Sequence, residues 1–356
     1  MTRPRKTPKP APSVLRSEIV SQPQVLQRIL RRERKKALRL AQAIDHFDPQ
    51  LVLIVGRGSA DNAGLYGKYL FGAHNRQIVA LATPSLITRY GAAPDLSRAL
   101  VVAISQSGES YDVVETVEAA RASGAMTVAV TNTEGSPLAN AASEALLCHA
   151  GEERSVAATK TYTAQLYLLA LLSAAMTGKQ TLIDHLDRVP DAVRETLDQE
   201  LEAQAIAERL RYLEQCAVVG RGFCYGSAFE IALKLAELTY VVAQPYSSAD
   251  FRHGPIAVVD RGFCVLLLAP KGKVLPDLEE LAVELGRRQA EVIAISNAAG
   301  LCKMATRALR LPSGLPEHLA PLPCVVPGQL LAMHLCRAKG LPLDTPRGLN
   351  KVTRTR

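Results

Sequence analysis

The chain is 356 residues long, with 48% hydrophobic and 21% charged residues, a composition that excludes a fully disordered, collagenous or fibrous protein and leaves room for two domains. Lys and Arg outnumber Asp and Glu by 42 to 34, for a formal net charge of +8. Residues 1–40 hold twelve basic and two acidic side chains, a net of +10, so the other 316 residues net −2 and the basicity belongs to an N-terminal arm rather than to a nucleic-acid-binding body.

The arm begins MTRPRKTPKPAPS, which is rich in Pro and Lys/Arg and has no apolar core of a secretory signal. A helical pattern starts at Val14, Pro23 falls near a helix start, and QRILRRERKKALRLAQAI carries Ile29, Leu30, Leu38, Leu40 and Ile44 among charges, as an amphipathic surface helix does. The longest apolar stretch, Leu166 to Met176, is far short of the roughly 20 residues that span a bilayer. Seven cysteines without a CxxC pair point to buried thiols in a reducing compartment. A cytoplasmic protein without membrane or nucleic-acid partners is expected.

An internal repeat organises the rest. LVLIVGRGSADNAGLYGKYL (51–70) and QCAVVGRGFCYGSAFEIALKL (215–235) each read as an apolar strand, Gly-Arg-Gly, then a helix, with Gly56 and Gly220 164 residues apart. Strand-like runs at 98–105, 126–131 and 144–150 follow the first copy, with a helix over 109–123. Runs at 262–270, 291–296 and 307–312 follow the second, with a helix over 276–288. Short Val/Ile/Leu runs alternating with amphipathic helices predict parallel βαβ units. The expected fold is α/β: two tandem domains, each a parallel sheet flanked by helices. The boundaries are an arm and helix over 1–40, a first domain over 41–195, a second over 196–340 and a tail over 341–356.

Gly-Arg-Gly is not a dinucleotide fingerprint, because GxGxxG would need glycine where Asp61 and Tyr225 stand. Walker A and zinc-ligand spacings are also missing, so the turns read either as tight corners needing positive φ or as points of ligand approach. Ser105-Gln106-Ser107-Gly108-Glu109-Ser110 follows the strongest strand and opens a helix. It reads either as a hydroxyl and N–H cradle for a phosphate dianion or as an N-cap turn with Glu109 or Asp112 favouring the dipole. The second half has Leu268-Ala269-Pro270-Lys271 at the matching place, so a cradle would occur once per chain. Val156 through Thr159 either wall a ligand or end in a helix cap at Thr159. Glu230, Lys234 and Glu237 recur on one face of an otherwise apolar helix, which suggests a charged stripe facing a cleft. His253 lies in the loop Asp250-Phe-Arg-His-Gly-Pro, and Pro346 to Lys351 would pass alone as a basic tail.

Together, GRGSADNAG, ISQSGES, EERSVAATKTYTAQL, GRGFCYGSAFEIALKLAEL, ADFRHGP and DTPRGLNK, in this order from about residue 45 to 351, resemble the SIS (sugar isomerase) family. The likeness is to the isomerase half of glucosamine-6-phosphate synthase and to stand-alone glucosamine-6-phosphate deaminases. The resemblance implies that Ser105, Gln106, Ser107 and Ser110 hold a sugar phosphate beside Ser59, and that Val156 and Ala158 line the sugar pocket. It implies Glu237 as the base that moves a proton between C1 and C2, and His253 as the ring-opening residue, supplied to the neighbouring subunit of a homodimer. Lys234 is then a substrate-contacting lysine, Lys351 a lysine able to form an imine with the ketose, and Arg347 part of the site for the anionic sugar. No metal or redox cofactor is expected.

Two departures bear on the reaction. Thr2 stands where the synthase has its glutaminase nucleophile, and Ala60 and Ala158 replace commonly hydroxyl-bearing positions. The expected function is an amino-sugar-phosphate deaminase/isomerase that converts glucosamine 6-phosphate and water to fructose 6-phosphate and ammonia. The alternatives are a deglycase on a phosphorylated sugar–amino-acid adduct, another hexosamine-phosphate deaminase, and, from a different class, a non-catalytic sugar-phosphate sensor.

Overall fold

The computed structural model describes residues 13–351; what was expected of residues 1–12 and 352–356, most of the Pro-rich arm and the last basic residues, lies outside the described residues. Two helices come first, α1 (Val14–Val20) and α2 (Gln22–Phe47). Pro23 sits in the first turn of α2, where its missing N–H leaves no helix bond unmade. Val25, Leu26, Ile29, Leu40 and Ile44 are buried along one side of α2, while Arg28, Arg31, Arg32, Lys35 and Arg39 are exposed.

The first half contains β1 (Leu51–Val55), α3 (Ser59–Asn75), β2 (Ile78–Leu81), α4 (Ser85–Thr88), β3 (Ala99–Ser105), α5 (Tyr111–Ala122), β4 (Met126–Thr131), α6 (Pro137–Ala141) and β5 (Glu144–Leu147). These strands form one parallel sheet in the order β2-β1-β3-β4-β5. Four helices follow: α7 (Lys160–Met176), α8 (Gln180–Leu186), α9 (Val189–Thr196) and α10 (Glu200–Arg209). The second half contains β6 (Gln215–Gly220), α11 (Tyr225–Thr239), β7 (Val242–Ser247), α12 (Ser248–Arg252), β8 (Cys264–Leu268), α13 (Leu275–Arg287), β9 (Glu291–Ser296), α14 (Ala299–Met304), β10 (Arg307–Arg310) and α15 (Pro321–Ala338). Its parallel sheet runs β10-β9-β8-β6-β7. β1 and β6, β2 and β7, and α5 and α13 each start 164 residues apart, so the repeat seen at the Gly-Arg-Gly turns extends through both sheets.

Sheet β3 is buried at every position and β8 likewise, as strands covered by helices on both faces must be. The edge strands β2 and β7 are open to solvent on one side: β2 (IVAL) is apolar but alternates exposed and half-buried residues, and Gln244 and Pro245 break the apolar run in β7. The helix pairs α3–α11 and α7–α15 pack across the two halves, and one apolar core is continuous through them. Glu317–Ala338 is long and apolar enough to cross a membrane, which corrects the sequence-based choice of Leu166–Met176 as the longest such segment. The prolines of PLPCVVPG mask that helix in the sequence, and in the fold it is wholly buried as the core helix of the second half.

In each sheet the order in which successive strands are added switches sides between two adjacent parallel strands, β1 and β3 in the first half and β6 and β8 in the second. Such switch points open a crevice at the carboxyl ends of the strands.

Candidate active site

At the first switch point lies a cavity of about 340 Å³. One wall is the turn after β1. Gly58 has φ +56°, and a Cβ on Gly56 would lie 2.8 Å from the backbone of Ala60, so the corner reading of the Gly-Arg-Gly turn holds in geometric terms. The turn nevertheless also borders the cavity through Arg57, Gly58, Ser59 and Ala60.

The opposite wall is the loop after β3. Ser105, Gln106, Ser107 and Ser110 all line the cavity. Ser110 occupies the N-cap position of α5, yet its side chain makes no capping hydrogen bond; its Oγ lies 3.2 Å from Ser105 Oγ. The backbone N–H of Gly108 donates to Ser105 Oγ (3.1 Å), and that of Glu109 to Ser107 Oγ (3.2 Å). The loop turns tightly at Gly108, with φ +69° and an ideal Cβ position 2.1 Å from Ser136 Oγ, so glycine is the residue that fits. The result is a ring of hydroxyls in front of a helix N-terminus that no side chain of its own caps, an arrangement suited to an anion.

The floor comes from α11. A Cβ on Gly226 would lie 2.5 Å from the Asn62 carbonyl oxygen, so this glycine lets α11 press against α3 and brings its charged stripe to the end of the first half. Lys234 Nζ lies 2.6 Å from Glu237 Oε2 and 3.4 Å from Glu230 Oε1. Lys234 and Glu237 line the cavity; Glu230 sits behind them, fully buried, and accepts from Ser59 Oγ (3.0 Å) and Asn62 Nδ2 (2.9 Å). Burial pushes the Glu230 carboxyl up to about 6, against the pull of Lys234 and its hydrogen bonds. Burial alone would lower the Lys234 ammonium, but Glu230 and Glu237 raise it above its ordinary value and hold it charged.

The remaining wall joins the segment before α7 to the C-terminal tail. Val156, Ala158, Thr161 and Gln165 line the cavity from one side, and Leu349, Asn350 and Lys351 from the other. Thr159 stands at the N-cap of α7 but makes no capping bond through its side chain, so the capping reading fails. Glu153 does that work instead: its buried carboxylate accepts from the N–H groups of Thr159 (2.9 Å) and Thr161 (3.1 Å) and from Thr161 Oγ1 (2.6 Å). Lys351 Nζ donates to Glu153 Oε2 (2.9 Å) and to the Ser155 carbonyl (2.7 Å). Burial would raise the Glu153 carboxyl, yet the Lys351 cation and these donors hold it below its usual range. Glu18 of α1 secures the same segment from behind, accepting from the N–H groups of Arg154 (2.6 Å) and Ser155 (3.2 Å).

Ten of the twelve residues expected at the site therefore surround one cavity: Ser59, Ser105, Gln106, Ser107, Ser110, Val156, Ala158, Lys234, Glu237 and Lys351. Two do not. Arg347 does not line the cavity: its guanidinium stacks over the Tyr240 ring, 4.5 Å from the centroid, and its backbone N–H donates to Tyr240 Oη (2.8 Å). His253 is exposed after α12 and also does not line the cavity of its own chain. Arg57, Glu153 and Glu18 were not foreseen. Of these only Arg57 carries a sequence clue, its place inside a Gly-Arg-Gly turn at a strand end.

The SIS domain family matches this chain twice, over residues 48–175 and 210–336, one match on each sheet. The chain belongs to the SIS domain family. Among related proteins, this SIS chain is 35% identical over 341 residues to the glutamine–fructose-6-phosphate aminotransferase (isomerizing) of Pyrococcus horikoshii, covering 94% of this chain and 56% of that protein. It is 34% identical over 354 residues to the Thermus thermophilus protein of that name, covering 96% and 58%. The chain thus spans about half the length of the curated relatives it matches. The C-terminal domain of glucosamine-fructose-6-phosphate aminotransferase from Francisella tularensis superposes with a TM-score of 0.84 at 26% identity, covering 96% of this chain and all of that one. The double SIS unit is homologous to that C-terminal half. Glucosamine-6-phosphate deaminase from Thermotoga maritima, at 21% identity and a TM-score of 0.77 over 96% of this chain and all of that one, shares the fold.

Proposed function

We propose that this double SIS protein is a phosphosugar isomerase acting on an amino sugar, converting glucosamine 6-phosphate and water to fructose 6-phosphate and ammonia. The observation that carries this reading is that the Lys234–Glu237 ion pair and the Ser105–Ser110 hydroxyl loop face one cavity. One end suits a phosphate, and the other an acid/base step at the far end of an open-chain sugar. Similarity to aminotransferases named for fructose 6-phosphate supports the substrate class.

In this reading the Glu237 carboxylate removes the C2 proton of the open-chain aldose and returns it at C1. Lys234, charged between two carboxylates, and Lys351, held by Glu153, place positive charge beside the oxygen that becomes anionic during the transfer. Proton transfer converts the C2 amine to a C2 imine and the C1 aldehyde to an alcohol. Water then adds to the imine carbon, and ammonia leaves. No electrons are exchanged, so the chemistry calls for no redox cofactor. His253, exposed and outside its own cavity, opens the sugar ring in the site of a second copy, which makes the working form a homodimer. Ala60 and Ala158 set methyl groups against the substrate and favour including galactosamine 6-phosphate and a phosphorylated sugar–amino-acid adduct in any substrate panel.

The test is ammonia release from glucosamine 6-phosphate by the purified protein, by Glu237→Gln, by His253→Ala and by a mixture of the two variants. Turnover by the wild type, near-loss in each variant and partial recovery on mixing are expected. Tight binding with no product over hours would replace the enzyme with a sensor, and failure of the mixture to recover would remove the shared site.

A further inference from the structure

The two Gly-Arg-Gly arginines occupy equivalent places in the two halves, and each reaches across its switch point to an aspartate in the first turn of the facing helix. Arg57 bonds Asp112 of α5 and Arg221 bonds Asp277 of α13. They differ at the far end of the guanidinium. Arg221 commits the terminal nitrogen Nη1, to Asp277 Oδ2 (2.9 Å) and Ser248 Oγ (3.3 Å). Arg57 engages Asp112 Oδ2 through Nε (2.5 Å), and its two terminal nitrogens donate to none of the described residues. Its side chain is 50% exposed and forms part of the cavity wall beside the serine loop.

The other cations on that wall are already matched by carboxylates, Lys234 by Glu230 and Glu237 and Lys351 by Glu153. The serine loop contributes hydroxyls and N–H groups but no positive charge. A phosphate dianion seated there would lack a counter-charge unless Arg57 supplied it. The second half shows the converse. Its loop after β8 has no hydroxyls over Ala269 to Lys273, its arginine is tied internally, and the Glu317 carboxylate accepts from the Lys273 N–H (2.9 Å), so the protein's own anion occupies that loop.

We infer that Arg57 is the charged half of the anion site: its free terminal nitrogens grip the phosphate of the substrate against Ser105–Ser110, while Asp112 anchors its near end. A planar fork with two donors side by side matches a phosphate edge better than an ammonium does. This inference rests on the sugar-phosphate reading above and names a residue which that reading did not include.

The test is calorimetric titration of the full chain with inorganic phosphate and with glucosamine 6-phosphate, for the wild type, Arg57→Gln, Arg57→Lys and Arg221→Gln. Loss of a charge-assisted pair predicts about 10- to 100-fold weaker binding of both ligands to Arg57→Gln. Arg57→Lys, which keeps the charge but not the fork, should fall between, and Arg221→Gln should bind as the wild type does. Equal affinity in the wild type and both Arg57 variants overturns the assignment while leaving the sugar-phosphate site intact. Equal weakening in Arg57→Gln and Arg221→Gln makes both pairs structural clamps and also overturns it. A wild type that binds neither ligand overturns both readings. If Arg57→Gln does not fold, the comparison of Arg57→Lys with wild type decides.

Discussion

Glu230 makes the stability of the site pH-dependent in a way that can be isolated. Burial raises its carboxyl from the ordinary 4.5 to about 6, with Lys234, Asn62 and Ser59 pulling downward and Glu237 adding repulsion. A carboxyl whose folded pKa exceeds its unfolded one contributes stability that is fully present below the unfolded value and is lost as pH rises through the folded value. The interval from 4.5 to about 6 corresponds to about 2 kcal/mol in full, of which a comparison of pH 5 with pH 8 samples about 1 kcal/mol. Glu230→Gln holds the side chain in its neutral shape, so the difference between wild type and variant cancels the titrating groups remote from Glu230. Urea denaturation at the two pH values should show the variant gaining about 1 kcal/mol on the wild type from pH 5 to pH 8. A difference between the two proteins that is the same at both pH values would refute the reasoning, because Glu230 would then titrate in the fold as it does in the unfolded chain.

Two further outcomes follow from the walls of the cavity. Gly108→Ala places a Cβ 2.1 Å from Ser136 Oγ at φ +69°, so it should cost about 1–3 kcal/mol in denaturation and raise KM for the sugar phosphate. Arg347→Ala should leave kcat/KM unchanged while lowering stability by about 0.5–1 kcal/mol, through loss of the Tyr240 stack; a large rise in KM would return Arg347 to the site.

The central architecture is legible in the sequence because buried parallel strands are nearly pure apolar runs, and here they come twice with one spacing. The edge strands escape the same reading for different reasons: Gln244 and Pro245 break the run in β7, and β2 is an apolar run of only four residues. The serine loop is legible as a strand-end turn because it abuts the strongest strand, and the resemblance to a known family implies a cradle; the structure adds that Ser110 stands at a cap position without capping. Glu153 illustrates what stays hidden. In the sequence it is one of two adjacent glutamates in a loop, and only the fold reveals that one is exposed while the other is buried against Lys351, 198 residues away. The place of Arg347 is hidden for the same reason: a basic tail carries no periodicity, so nothing local indicates its contact with Tyr240, 107 residues earlier.

The two ends of the described chain are tied to one another as well as to the site. Asp344 accepts from the first two N–H groups of α1, at Val14 (3.4 Å) and Leu15 (3.1 Å), and seven residues later Lys351 closes the cavity against Glu153. Glu18, four residues along from Val14, holds the segment that receives Lys351. Loss of the Asp344–Lys351 segment would therefore leave the first turn of α1 without its acceptor at the same time as it opens one wall of the cavity, so the two ends bear on the site together.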